Sequence, residues 1–262
     1  MDATVIDRPA ALRAERAAML SFCGFLDDAE WCTSSAAVGW RIQDVVAHLG
    51  GGCHALFTPA ALSLLRSSDI ERSNDAMVDA RRSWTRAMVF AEFERWSARV
   101  IGLSMITAAL PVGRVRLPLA ELGRFPVALL LGSALAFDLH THLRFDMAPA
   151  LSREAPPSDA NRMAVVIEWM LAVLGNQLAS TSPEWMDRPL SLRLHGQGGG
   201  TWTIDRGSVA YGASPAAVAV IDAAAERFPC WGTRRSPWRD HDIVISGDAA
   251  YGETFLDGIN VV

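Results

Sequence analysis

The sequence contains no lysine, all 24 of its Lys+Arg residues being arginine. Schiff-base catalysis, lysine-anchored pyridoxal phosphate chemistry and a phosphate-loop lysine are thereby excluded. Cysteine is scarce as well: four residues, Cys23, Cys32, Cys53 and Cys230, form no Cys-x-x-Cys pair. They read more simply as buried thiols in a reducing compartment than as disulfide staples. A long apolar run is also missing. The two most apolar stretches noted, Val100–Val112 and Phe125–Phe137, are about 13 residues each, short of the roughly 18 to 20 that span a bilayer, and are expected to be buried core helices. The start of the chain, Met1–Pro9, carries Asp2, Asp7 and Arg8 and no apolar segment, so no signal peptide and a cytoplasmic location are expected. Neither a membrane nor a nucleic acid is expected as partner, since the net charge is −5 and the arginines are scattered in ones and twos. The Gly-x-Ser-x-Gly, His-Glu-x-x-His and Gly-x-Gly-x-x-Gly patterns are absent, and with them the serine-hydrolase, zincin and dinucleotide readings lose their motifs.

What is present, 50% hydrophobic and 20% charged residues in 262, suits one large or two modest domains with real cores. Ala10–Leu26, Ile42–Leu65, Asp75–Ala109 and Phe125–Met147 each space apolar residues by three and four, with Arg, Asp and Glu between them. Four such segments with short polar connections predict an antiparallel bundle. Pro156-Pro157 marks a connection, and Ser158 an N-cap for a fifth helix over Asp159–Ala179. Past Thr181 the pattern alternates: Leu190–His195 and Thr201–Ile204 flank a Gly-rich hairpin connection, and Ser208–Tyr211 and Asp242–Ile245 supply two more strands. Ser214-Pro215 predicts a helix start, and Asp248 a last helix through Leu256. The expected class is α+β: a helical bundle over residues 1–155, a connecting helix over 156–181 and a small α+β domain over 182–262.

Chemistry is sought first among the six histidines. At about 100° per residue, Asp138 and His142 fall on one face of the fourth helix, one turn apart, while His140 points elsewhere. A carboxylate and an imidazole so placed, joined by a third ligand from a neighbouring helix, make a three-ligand site with an open position, the form of a catalytic Zn²⁺ site. The same pair also fits a plain hydrogen bond on a helix surface. His195 and His241 are expected to be structural, and Cys53-His54, after Gly50-Gly51-Gly52, are left unassigned. Trp40, Trp84, Trp96 and Trp169 could line an apolar pocket or belong to the core.

The string Val38-Gly39-Trp40-Arg41-Ile42-Gln43-Asp44-Val45-Val46-Ala47-His48-Leu49 resembles the signature of the DinB-like, mycothiol-dependent maleylpyruvate-isomerase-like metalloprotein family. Asp138-Leu-His-Thr-His142 is similar to that family's second ligand element. Leu190–Leu194, Gly198–Ile204 and Asp242–Asp248 with the closing helix are similar to its sterol-carrier-like domain. The resemblance implies a DinB-like four-helix bundle followed by a sterol-carrier-like domain, and His48, Asp138 and His142 as ligands of a divalent metal, zinc by that likeness. It further implies a low-molecular-weight thiol, mycothiol or a similar one, used by a transferase or isomerase on a small electrophile, in a monomer or homodimer. Relatives carry Glu more often than Asp at the carboxylate, and end the last helix in Gly-Arg where this chain has Gly258-Ile259. A substrate arginine lost there is replaced, on this reading, from Arg234, Arg235 and Arg239 in the Trp231–Arg239 loop, which otherwise reads as a solvated loop. Arg144 and Asp146 are either groups that orient the ligands or a surface pair. The competing classes are a module that sequesters a small molecule without turning it over, and a biosynthetic enzyme of the same fold that uses neither thiol nor metal.

Overall fold

A computed structural model describes residues 6–62 and 67–261. The chain divides into two compact units, one formed by Asp7–Pro157, the other containing Ser158–Val262.

The first unit is the antiparallel bundle. Its helices are α1 (Arg8–Gly24), α2 (Asp28–Cys32), α3 (Ile42–Ala55), α4 (Ile70–Asp79), α5 (Arg86–Ala109) and α6, a continuous run over residues 127–147. The expected second helix ends at Ala55, ten residues early, and its last positions, 63–65, lie outside the described residues. The expected third helix is two: α4 closes at Asp79, and Thr85 then caps α5 by accepting from the Met88 N–H. A short hairpin that the apolar pattern concealed, β1 (Arg116–Leu119) with β2 (Gly123–Pro126), precedes α6. The stretch 100–112 is only half what was expected, because Val100 and Ile101 are buried while Met105, Ile106, Leu110 and Val112 stand about half exposed.

The most extensive helix packing in the bundle is between α3 and α5. A Cβ on Gly50 would lie 3.0 Å from the backbone N and 3.1 Å from the Cα of Phe93, so any larger residue would force the two main chains apart by a few tenths of an ångström. Around this contact Ile42, Val45, Val46, Val89 and Phe93 are completely buried. Each such side chain contributes roughly 1.5–3 kcal/mol of burial. The glycine triplet thus lies inside a helix, where Gly50 and Gly51 make close contacts with Phe93 and with Met77 and Arg81, and Gly52 faces open space. At the start of α3 the Arg41 N–H donates to Asp44 Oδ2 at 2.9 Å, and the Arg41 side chain pairs with the same carboxylate. Burial alone would raise the Asp44 carboxyl, but Arg41 and Arg82 outweigh it and hold it low.

Two stretches of α6, Leu130–Ala134 and His142–Met147, are π-helical, flanking an α-helical turn over Leu135–Thr141. Widened turns of this kind recur where a helix carries a functional site.

In the second unit α7 (Ala160–Thr181) packs on a five-stranded sheet. The strands are β3 (Leu190–His195), β4 (Gly200–Asp205), β5 (Ser208–Tyr211), β6 (Ala219–Ala224) and β7 (Val244–Gly247), in the order β5-β4-β3-β6-β7. The β3–β6 pair is parallel and the others antiparallel. The Gly-rich connection is the expected hairpin: Leu194 pairs with Gly200, and Gly198, at φ +70°, presses on α7, where a Cβ would meet the Ala160 carbonyl oxygen at 2.4 Å. Ser214-Pro215 does not start a helix. Its turn leads into β6, whose Ala-rich sequence hides a strand buried at alternate positions. The short α8 (Phe228–Gly232) and the closing α9 (Ala249–Gly258) complete the unit. Among the described residues one helix, Ala160–Thr181, is long and apolar enough to cross a membrane; Met163, Val165, Val166, Ile167 and Met170 on it are core. All four cysteines are free: Cys23 and Cys53 are buried, but Cys230 is half-buried and Cys32 exposed, contrary to the expectation of four buried thiols.

Candidate metal centre

His48 comes from the middle of α3, Asp138 and His142 from successive turns of α6. One ligand atom from each lies within 4.8 Å of the others. His48 and His142 are buried, and the Asp138 side chain is 36% exposed. His48 Nε2 stands 3.5 Å from Asp138 Oδ2. That is long for a hydrogen bond, yet close to the edge of about 3.3 Å that separates two ligands on a tetrahedral zinc with bonds of about 2.0–2.1 Å. His48 Nδ1 is buried without a hydrogen-bond partner, so the protein does not saturate this ring. His142 Nδ1 is 2.6 Å from Asp146 Oδ2, an acid only 1% exposed. This carboxylate fixes the tautomer and leaves Nε2 as the ring's remaining donor atom, the carboxylate–histidine arrangement typical behind metal-binding imidazoles. The donor set of two imidazoles and a carboxylate therefore fits Zn²⁺ or a similar cation.

Trp40 walls the site. Its ring lies 5.1 Å from the His48 ring and 6.1 Å from that of His142, nearly parallel to the latter, and its indole N–H donates to Asp75 Oδ1 at 3.0 Å. The spacing Trp40, Asp44, His48 thus has a local logic: a wall, a helix cap and a ligand. The other tryptophans do not join it. Trp96 stacks on His54 at 4.2 Å, and Trp169 belongs to the core of the sheet-containing unit.

Beside His48 and Asp138 lies a small cavity of about 20 Å³, lined also by Leu12, Arg16, Cys53, Ser97, Val100 and Leu139. It has room for one water. Burial pushes the Cys53 thiol up to about 12, so Cys53 is a neutral wall and not a nucleophile. Sequence reasoning missed Arg16 and Ser97, which reach the cavity from α1 and α5; nothing local to either marks it.

The remaining candidates are tied elsewhere. His140 turns away from the site, as expected, with Nδ1 2.9 Å from Glu15 Oε1, and Arg144 donates to Glu15 Oε2 at 2.7 Å. Asp146 is the orienting group and Arg144 is not. His54 shares Glu92 with Arg81. His195 meets Asp222 at 3.0 Å, and His241 meets Ser236 at 2.5 Å. In the second unit Arg234 donates to the carbonyl oxygens of Ile259 and Asp257 at 2.9 Å, Arg235 to Thr233, and Arg239 to Asp257. Ile259 itself, where the resemblance led one to expect arginine, is 3% exposed. A more open groove of about 390 Å³ in the same unit is apolar apart from Glu168, with Leu171, Trp202, Val209 and Tyr211 among its lining.

Residues 12–102, from α1 into α5, match the mycothiol maleylpyruvate isomerase N-terminal domain. The resemblance read from the sequence is borne out, and His48 falls inside the matched stretch. Two solved structures share the α+β fold over most of the chain. Both are of the mycothiol-dependent maleylpyruvate isomerase, one of them a point mutant; they are 14% and 13% identical to this chain, with a TM-score of 0.52 and 91% of each chain covered. No curated protein matches the sequence.

Proposed function

We propose that this chain is a metal-dependent enzyme that uses a low-molecular-weight thiol, mycothiol or a close equivalent, for isomerisation or sulfur transfer on a small electrophile. The observation that carries the proposal is the convergence of His48, Asp138 and His142 behind an orienting carboxylate, in a unit whose residues 12–102 match a domain named for a mycothiol-using isomerase. His48, Asp138 and His142 would hold a divalent metal, which would supply the Lewis acidity that favours deprotonation of a bound thiol at neutral pH. The protein's own groups do the rest. Asp146 fixes the His142 ring, Trp40 shields both imidazoles from water, and the short separation between α3 and α6 side chains brings reactants to one place. Arg234, Arg235 and Arg239 take no part in this proposal, because hydrogen bonds within their own unit account for their guanidinium groups.

The expected metal content of the purified protein is about one divalent ion per chain, lost in His48→Ala and in His142→Ala. Elemental analysis checks it, alongside thermal shift with Zn²⁺ and with a small thiol, since a true ligand stabilises by mass action. Equal metal content in wild type and both variants would defeat the assignment.

A further inference from the structure

We infer that the groove of the sheet-containing unit binds a small organic cation, an alkylated ammonium carrying an apolar body. The site uses none of the metal-site residues and does not rest on the function proposed above. Two elements build it. On α7, Ala164, Glu168, Leu171 and Ala172 follow one another at spacings of four, three and one, and so share a face. The alanines one turn before and one turn after Glu168 add little bulk beside its carboxylate. On the sheet, Trp202 of β4 and Tyr211 of β5 stand directly opposite each other in the ladder, which sends both side chains to the same face. Their ring centroids lie 5.8 Å apart and their planes cross at 83°, a corner with two π surfaces. Gly200 leaves room for that corner: a Cβ there would lie 2.9 Å from Trp202 Cη2 and 3.2 Å from Tyr211 Cε2.

At about 390 Å³ the groove falls within the roughly 300–1,000 Å³ that small-ligand sites occupy. Among the described residues that line it, Glu168 is the one charged side chain; the rest are apolar, aromatic or glycine. This lining selects by charge. An anion would meet the carboxylate through a dielectric lower than that of water, and a neutral apolar molecule would cover it without offering a counter-charge. A cation suits both parts of the lining, because it pairs with Glu168 while lying over an aromatic face, where the ring quadrupole attracts it. A quaternary ammonium fits better than a bare one, since it brings no N–H groups that apolar walls would leave unpaired. Leu171 and Val209 then receive the apolar body.

The test is calorimetric titration of the full chain at neutral pH with three probes of similar size: benzyltrimethylammonium, the neutral 2-phenylethanol and the anionic 3-phenylpropanoate. The wild type is expected to bind the cation at least about tenfold more tightly than the alcohol, the combined scale of an ion pair and a cation–π contact. The anion binds more weakly than the alcohol. In Glu168→Gln cation affinity falls about threefold or more while alcohol affinity stays as in the wild type. Tyr211→Leu, which keeps an apolar wall at a position 69% exposed, shows the same selective loss, and unchanged far-ultraviolet dichroism confirms that both variants fold. Equal affinity for cation and alcohol overturns the inference, as does preference for the anion or no cation binding at millimolar probe. So does cation binding that survives Glu168→Gln intact, or a loss in that variant shared equally by the alcohol. The same results are expected in the presence of a chelator, so failure of the metal assignment and failure of this one are read separately.

Discussion

Two clusters within two turns of α6 use the same kinds of side chain and end in opposite states. Glu15, His140 and Arg144 form a closed network: each titratable group meets another within hydrogen-bond distance, and all are buried. His48, Asp138 and His142 lie as close together, yet His48 Nε2 stands 3.5 Å from Asp138 Oδ2; a buried nitrogen without a partner occurs in both clusters, His48 Nδ1 here and Arg144 Nε there. Residue type does not separate a structural ion network from a candidate metal site; the spacing of the ionisable groups does, with direct contacts of 2.7–2.9 Å in the first and a 3.5 Å imidazole–carboxylate gap in the second.

The sharpest way to break this contrast is to open the closed cluster. Glu15→Gln leaves Arg144 and His140 buried without their acid, and we expect a loss of about 3–5 kcal/mol in unfolding free energy, measured by urea titration, with metal content per folded chain unchanged. A drop in metal content would mean that the two clusters are one. A smaller effect is expected from Asp146→Asn: metal affinity down about 10- to 100-fold, or about 1.4–2.7 kcal/mol, because the amide no longer fixes the His142 tautomer. Competition with a chelator reads this, and unchanged far-ultraviolet dichroism shows that α6 persists. The smallest effect lies in pH. Burial alone would raise Glu15 and Glu92, but His140 with Arg144, and Arg81 with His54, outweigh it and hold both below their ordinary 4.5. A depressed carboxyl stabilises the fold above its unfolded value. Stability should therefore decline as pH falls through about 4.5 and on toward the lower folded values. The decline should be shallower in Glu15→Gln; an identical slope would remove Glu15 from the account.

Legibility followed the range of the interaction. The Asp138–His142 pair is local and could be read from helical periodicity, whereas His48 was singled out by the resemblance of the Val38–Leu49 string. Asp146 sits four residues after His142 and was visible by the same rule, though spacing alone does not separate an orienting acid from a surface pair. Arg16 reaches the cavity across α1 and α5, 81 residues from Ser97, and sequence spacing carries no trace of that. The second unit was misread where composition and context disagree: the Ala-rich run ending in Ala219–Ala224 favours a helix in isolation, yet pairing with β3 and β7 makes it a strand. The Trp231–Arg239 loop looked chemical because arginine and tryptophan are, whereas Arg234 and Arg239 bind the end of the last helix and Arg235 donates to Thr233.

The place of the His48 ring is set by main chain rather than by side-chain fit. Two residues beyond it the backbone of α3 rests on the backbone of α5 at Gly50, a contact with no rotamer to adjust. One methyl group on Gly50 would press on the Phe93 main chain and push the two helices apart by a few tenths of an ångström, two residues from the imidazole.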